Sequence, residues 1–338
     1  MQRPQHGKCG RLVQRTLRVT TGHAIAPSGR IDEFPEYAEY RDFDTGHSFR
    51  PRRGPLNWSN ILGAYGIRLS GLESAEELLV EVDPDAPTYA VAAEIGHAPS
   101  EREHVDDDRA ELRLRSGGQI VIDRRAQTVL YRVPHAVRAD ELVHPYLAPA
   151  AAMINRWQGR ESVHAGAFAV GGRALGVVGS REAGKSSTLA YLALNGIDVL
   201  TDDMVIIDGD RPLAGPRSID LRADAAQRFE AGEAIGMTGA RERWRLKLGP
   251  TAPGPTLVGW VFLAWGDKVQ ARKLPARERI PRIAEERGLR LPPVRPDALL
   301  TLAELPAWEL SRPRAWESLP QAADLLLELA SATPTAGG

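Results

Sequence analysis

From about residue 61 onward the chain alternates short apolar runs with charged turns, and before that it does not. Ala64 to Leu69 and Leu78 to Val82 read as strands, as do Leu112 to Leu114, Gln119 to Asp123 and Thr128 to Val133. Ser116-Gly117-Gly118 joins two of these as a turn. Together they predict an antiparallel β-rich module, with the acidic stretch Glu101 to Asp108 as a solvated connection. Arg138 to Gln158 carries a helical period, with Leu142, Tyr146, Leu147 and Met153 inward and a break near Pro145 and Pro149. Met1 to Ser59 mixes charge, Gly, Pro and isolated aromatics without periodicity. That composition predicts a flexible arm, or an extended one that covers the sheet or a partner.

The second half reads as α/β. Ala174 to Val178 is a short apolar run of the kind buried in parallel sheets. Ser186 to Asn195 is helical, with Leu189, Leu192 and Ala193 on one face and Asn195-Gly196 as its stop. Ile197 to Leu200 returns as a strand, which completes a βαβ unit. Met204 to Ile207 and Leu257 to Trp265 continue as strands. Asp224 to Glu230, Pro281 to Arg287 and Leu319 to Ala330 read as helices, with Pro281 in a first turn. Trp308 and Trp316 are expected to staple the C-terminal region to the core, and Ser331 to Gly338 to fray. Arg241, Arg243, Arg245 and Lys247 alternate with Trp244, Leu246 and Leu248, so a strand here puts the bases on one face. Arg243 and Arg245 are then candidates to hold phosphate or steady transition-state charge, against the alternative of a positively blunted edge strand.

Between the first strand and helix of this unit lies Gly179-Ser180-Arg181-Glu182-Ala183-Gly184-Lys185-Ser186, followed by Ser187. This is the G-x-x-x-x-G-K-[ST] pattern, in the strand–loop–helix context that gives it meaning. Residues Gly179 through Ser187 are therefore the expected nucleotide-binding segment, with Lys185 reaching the terminal phosphates and Ser186 the metal. Asp202 and Asp203 close the second strand, where carboxylates can organise Mg²⁺ or accept a proton from a hydroxyl. Neighbouring strand residues face opposite ways, so the two predict different jobs, and the sequence leaves open which does which.

His164 opens a strand and tight turn, His164 to Gly172, just before the loop's strand. A His-Ala/Gly strand, a hairpin, the phosphate loop, a helix ending in Asn195-Gly196 and an Asp-Asp pair resemble the HPr kinase/phosphorylase family. Its relatives include serine kinases found beside ribosomally made peptides such as lasso peptides. The resemblance is specific over about residues 163–207 and looser to about 329, through Pro216-Arg217-Ser218-Ile219-Asp220-Leu221-Arg222. It implies a nucleotide-binding core like that of phosphoenolpyruvate carboxykinase, with ATP or a related donor and Mg²⁺. It implies His164 and Lys185 in the active site, Ser186 on the metal, and one of Asp202 and Asp203 as the base. Ser180-Arg181-Glu182 stands where the family has Asp-Ser-Gly. No Glu-x-Arg-Gly-x-Gly signature follows, and Asp220 is the candidate substitute acid. The resemblance therefore does not extend to HPr as acceptor or to the phosphorylase reaction.

Composition narrows little further. With 338 residues, 43% of them hydrophobic, the chain has ample core. We read it as an arm over 1–60, a β-rich module with a connecting helix over 61–160, and a phosphate-loop kinase domain over 161–330. A net charge of −1 predicts no nucleic-acid partner, and no apolar run is long enough for a membrane. The single cysteine, Cys9, and the absence of a leader-like apolar stretch predict a cytoplasmic protein. A homo-oligomer accords with the relatives. The function expected is ATP- and Mg-dependent phosphorylation of a Ser or Thr hydroxyl on a peptide or protein. A kinase for a small hydroxylated molecule and a nucleotide-binding regulator without turnover stand as the alternatives.

Overall fold

Alternating apolar positions between residues 62 and 133 build the first sheet of the computed structural model, which describes residues 61–97, 103–114, 117–238, 241–252 and 254–333. All of these fall in one unit, Thr45–Gly338. The arm expected over 1–60, including Cys9, lies outside the described residues. Strands β1 (Leu62–Ala64), β2 (Ile67–Ser70), β3 (Val80–Glu81), β4 (Thr88–Ile95), β5 (His104–Val105), β6 (Arg109–Arg113), β7 (Gln119–Asp123) and β8 (Thr128–Val133) form an eight-stranded sheet ordered β3-β1-β2-β4-β8-β7-β6-β5. The run Ala64 to Leu69, expected as one strand, is a hairpin. Tyr65 and Gly66 both take positive φ (56° and 68°), as a two-residue hairpin turn requires. Nor is the sheet purely antiparallel. β2–β4 and β4–β8 pair in parallel: β3 is added beyond β1 before the chain returns as β4, and β5, β6 and β7 build the far side of the sheet before it returns as β8.

Helix α1 (Ala139–Glu141), a π-helical turn over Leu142–Tyr146 and helix α2 (Leu147–Trp157) follow. The expected proline break falls at Pro145, where His144 leaves helical geometry (φ −149°, ψ 122°). Pro149 makes no break, because it sits in the first turn of α2, where no amide is needed. The apolar face of α2 joins the core of the first sheet, and Met204 and Ile206 from the second half complete that core.

The second half is laid out around six strands in the order β12-β10-β11-β18-β20-β19. Its parts are β9 (Glu161–Val163), β10 (Ala165–Val170), β11 (Arg173–Val178), α3 (Lys185–Leu194), β12 (Asp198–Thr201), β13 (Val205–Asp208), β14 (Arg211–Leu213), β15 (Ser218–Leu221) and α4 (Ala223–Phe229). They continue through β16 (Glu233–Thr238), β17 (Arg241–Lys247), β18 (Thr256–Trp265), β19 (Gln270–Lys273), α5 (Ala276–Glu285), α6 (Pro296–Glu304), β20 (Ala307–Arg312) and α7 (Leu319–Ala332). Two small sheets, β14-β13-β9 and β15-β17-β16, flank it. β11, β18 and β20 run parallel. The expected βαβ unit is present in split form: β10 lies between β11 and β12, antiparallel to both. α3 and α7 bury Leu189, Leu192, Ala322 and Leu326 in one core, and Trp308 and Trp316 pack against it as expected. Pro281 lies inside α5, not in its first turn, because that helix begins at Ala276. No helix among the described residues is long and apolar enough to cross a membrane.

Register then decides what gathers. Ala165, the first residue of β10, pairs with Val178, the last of β11. Thr201, the last of β12, pairs with Ala167. His164, Gly179 and Asp202 therefore leave the sheet at one edge. Gly166 permits this closeness: a Cβ there would meet the Leu189 side chain at 2.2 Å and the carbonyl oxygens of Thr201 and Asp202 at 3.0 Å. Gly166→Ala is expected to push α3 and the aspartate turn away from the sheet and destabilise the protein by about 1–3 kcal/mol. Urea unfolding of the variant checks this, and an unchanged midpoint would contradict it.

Candidate active site at the loop and the aspartate pair

The loop leaves β11 through buried Gly179 and exposes Ser180, Arg181 and Glu182. It turns where the Ala183 amide donates to the Ser180 carbonyl at 3.0 Å. Gly184, at φ 86°, is the N-cap of α3. The first bond of the helix is Thr188 N–H to the Gly184 carbonyl, 2.9 Å. The amides of Lys185, Ser186 and Ser187 thus have no acceptor within the helix, and the helix dipole adds partial positive charge at the same end. Glu182 takes a positive φ of 71°, a region that disfavours side chains. Its carboxylate is held outside the loop by Arg222 at 3.1 Å and Arg241 at 3.8 Å.

Three polar groups meet behind the loop. Lys185 is buried, and its Nζ has no hydrogen-bond partner among the described residues. Asp202 is 4% exposed, and its Oδ1 is likewise without a partner. The Ser186 hydroxyl lies near enough to the Asp202 carboxylate to favour its charged form. Burial and the neighbouring Asp203 charge push the Asp202 carboxyl up to about 6, although Lys185, His144 and Ser186 pull the other way. Asp203 differs. Its side chain is 31% exposed. Partial burial raises its proton affinity, but His144 first, then Lys185, His164 and Arg243, outweigh that and hold it below the usual carboxylate range. Adjacent positions on the strand end thus give one inward carboxylate and one accessible, ionised one.

His144 escaped the sequence reading. It is buried, and its Nε2 stands 3.5 Å from Asp203 Oδ2 and 3.8 Å from Asp220 Oδ2. The signal was in the chain. Pro145 interrupts an otherwise helical run, and irregular helical turns often serve function. Asp220 does not offer its oxygens to the loop. Arg245 Nε and Nη2 donate to them at 2.8 and 3.0 Å. Arg245 also donates from Nη1 to Asp140 at 2.8 Å and from Nη2 to the His144 carbonyl at 2.8 Å. Its guanidinium is committed to this buried network. Of the two arginines expected at phosphate, Arg243 is half-buried, makes no ion pair among the described residues and contributes field at Asp203. His164 bends between β9 and β10 with its side chain 52% exposed, tied to Glu286 by its amide (2.6 Å) and its Nδ1 (3.5 Å).

The donor set fits a hard divalent cation. No trio of His, Cys, Asp or Glu capable of caging a metal occurs among the described residues. Mg²⁺ needs none, since it binds through one or two carboxylates while substrate phosphates and water fill the rest. The unpartnered Asp202 oxygen beside the Ser186 hydroxyl supplies that kind of partial shell.

The raised Asp202 carboxyl carries a stability consequence for the metal-free protein. Below about pH 4 the carboxyl is protonated in both folded and unfolded chains. Between about pH 4 and the folded value near 6, the unfolded chain gives up its proton and the folded one keeps it, so stability falls as pH rises. The loss is at most about 3 kcal/mol, from a shift of about two units. Asp202→Asn should be more stable than the parent at pH 7.5 in EDTA and lose that advantage at pH 4. Urea midpoints at both pH values check it, and an advantage independent of pH would contradict it.

No family model matches the chain, and no curated protein does. Among solved structures it is similar to the Hpr(Ser) kinase/phosphatase from Coxiella burnetii, at 11% identity over 49% of this chain and 94% of that one, with a TM-score of 0.24. A likeness of that degree carries no argument about chemistry, which rests on the geometry of the loop and its neighbours.

Proposed function

We propose that the chain is an ATP- and Mg-dependent kinase that transfers a phosphoryl group to a Ser or Thr hydroxyl of a peptide or protein, in the manner of HPr-kinase-like serine kinases. The observation that carries this reading is the contrast between the two aspartates beside the loop: Asp202 buried against Ser186, Asp203 open and ionised. Phosphoryl transfer needs positioning and electrostatic stabilisation more than covalent help, and these groups supply both. Ser186 and Asp202 would hold Mg²⁺, which when bound supplies charge neutralisation among the donor phosphates.

The amides of Lys185 to Ser187 and the Lys185 ammonium bind the donor's phosphates. Asp203 accepts the acceptor hydroxyl's proton as its oxygen bonds to the γ-phosphorus. The bond from that phosphorus to the bridging oxygen breaks, and ADP leaves with the electron pair. His144 keeps Asp203 ionised and aimed, and Arg245 fixes His144 through its carbonyl. Arg243 steadies the charge that builds on the transferred group. His164, at the exposed side of the edge, adds positive field toward Asp203 when protonated.

Mass spectrometry of candidate peptides, including those encoded beside this gene, after incubation with ATP and Mg²⁺ should show a gain of one phosphate on Ser or Thr. A panel of small hydroxylated molecules run in parallel separates the acceptor classes. Lys185→Ala should lower turnover more than about 100-fold, on the scale of losing a fixed transition-state charge. Asp203→Asn should lower kcat about 10²- to 10⁴-fold with nucleotide affinity kept, as loss of a general base does. Near-normal turnover in either variant, or nucleotide binding with no product from any acceptor, would contradict the kinase reading.

A further inference from the structure

On the other side of the loop from the aspartates, β18 and β20 end together, and their parallel register sets Trp265 beside Arg312. Three arginines are deeply buried among the described residues: Arg217, Arg245 and Arg312. Arg217 has Asp198 at 3.7 Å and donates to the Val199 carbonyl at 2.7 Å. Arg245 has Asp220 and Asp140. Arg312, 4% exposed, has no carboxylate partner among the described residues. Its Nη1 makes two long contacts, 3.4 Å to the Pro313 carbonyl and 3.4 Å to the Ser318 hydroxyl.

What Arg312 does have is an aromatic seat and the loop. Its guanidinium carbon stands 4.5 Å from the centre of the Trp265 ring, and that of Arg314 stands 5.8 Å from it. Trp265 is 38% exposed, open enough to meet a ligand. Nη2 of Arg312 faces the N-cap of α3: a Cβ on Gly184 would fall 2.6 Å from it. Burial alone acts on the Arg312 charge, lowering its proton affinity from the usual arginine value, with no nearby acid to offset it. A buried cation left without an anion is costly, and the cost is relieved when an anion arrives.

We propose that Arg312, seated on Trp265, is a second anion-holding group of the loop, which takes a phosphate oxygen of the donor in addition to Lys185. The inference rests on the reading of the loop as a polyphosphate site, and it names the ligand class: the polyphosphate of a nucleoside triphosphate. A planar guanidinium can give two parallel N–H groups to a phosphate, and its stacking on the ring fixes the plane in which it gives them.

The full chain is titrated calorimetrically with inorganic tripolyphosphate and, separately, with ATP and Mg²⁺. Arg312→Gln should weaken tripolyphosphate binding about 10- to 100-fold, the scale of a charge-assisted hydrogen bond. Arg290→Gln, which removes an exposed arginine, should not. Binding should lose part of its salt dependence in Arg312→Gln and keep it in Arg312→Lys, a difference that loss of mere packing would not produce. Should Arg312→Gln fail to fold, Arg312→Lys carries the test, with affinity expected to fall several-fold as the planar fork is lost. Tripolyphosphate affinity unchanged in both variants would overturn the inference, and if turnover still depended on Lys185 the kinase reading would stand. Arg312-dependent tripolyphosphate binding without phosphoryl transfer to any acceptor would support the inference and overturn the kinase reading. A parent protein that binds neither ligand would overturn both.

Discussion

One guanidinium joins parts of the chain that are about a hundred residues apart. Arg245 of β17 grips Asp220 of β15 with two nitrogens, Asp140 with a third, and the His144 carbonyl besides. Taking that charge out of water is costly, and it is offset because both partner acids and the carbonyl satisfy its donors in the same place. Removing it would strand the buried Asp220 without its counter-charge, a loss of about 3–5 kcal/mol. Through this contact the turn between α1 and α2 is held against the small sheet β15-β17-β16. His144 can stand between Asp203 and Asp220 only while that turn stays there. The catalytic geometry proposed for Asp203 therefore depends on an interaction that never touches it.

The two aspartates show how little sequence separation is needed to divide labour. They share a strand end, yet their proton affinities move in opposite directions. Burial raises both, and neighbouring charge makes the difference: His144, Lys185, His164 and Arg243 outweigh burial at Asp203, whereas the Asp203 charge adds to it at Asp202. Asp202 loses water on all sides, and Asp203 keeps some of it and faces the histidine. A site that needs one carboxylate to stay beside a metal and another to accept a proton gains both from a single turn.

Local chemistry was readable in the chain; long-range partnership was not. The loop, the helix that follows and the aspartate pair carry short-range signals in glycine, lysine and apolar spacing, and the structure brings them to one sheet edge. Arg312 carries no such signal, and His144 only the break that Pro145 makes beside it. A histidine inside a helical run is ordinary, and an arginine ahead of Pro313 reads as surface. Each becomes notable through what lies beside it in space, as when Asp203 and Asp220 flank His144 or Gly184 meets Arg312. The same limit explains the β17 arginines. Alternation correctly put Arg243 and Arg245 on one face, but that face runs from the loop into the interior, so one is available and the other is enclosed. Turn geometry was the other blind spot. The hairpin at Tyr65 and Gly66 depends on positive φ at a tyrosine, which composition does not announce.

The strand inserted into the βαβ unit also sets a width. Strands lie about 4.8 Å apart, so with β10 between them β11 and β12 are about 10 Å apart at the edge where the loop and the aspartates emerge. Lys185 Nζ and Asp202 Oδ1 are both without a hydrogen-bond partner among the described residues at that edge. The spacer strand thus leaves room at that edge for a ligand to lie between the loop and the aspartates.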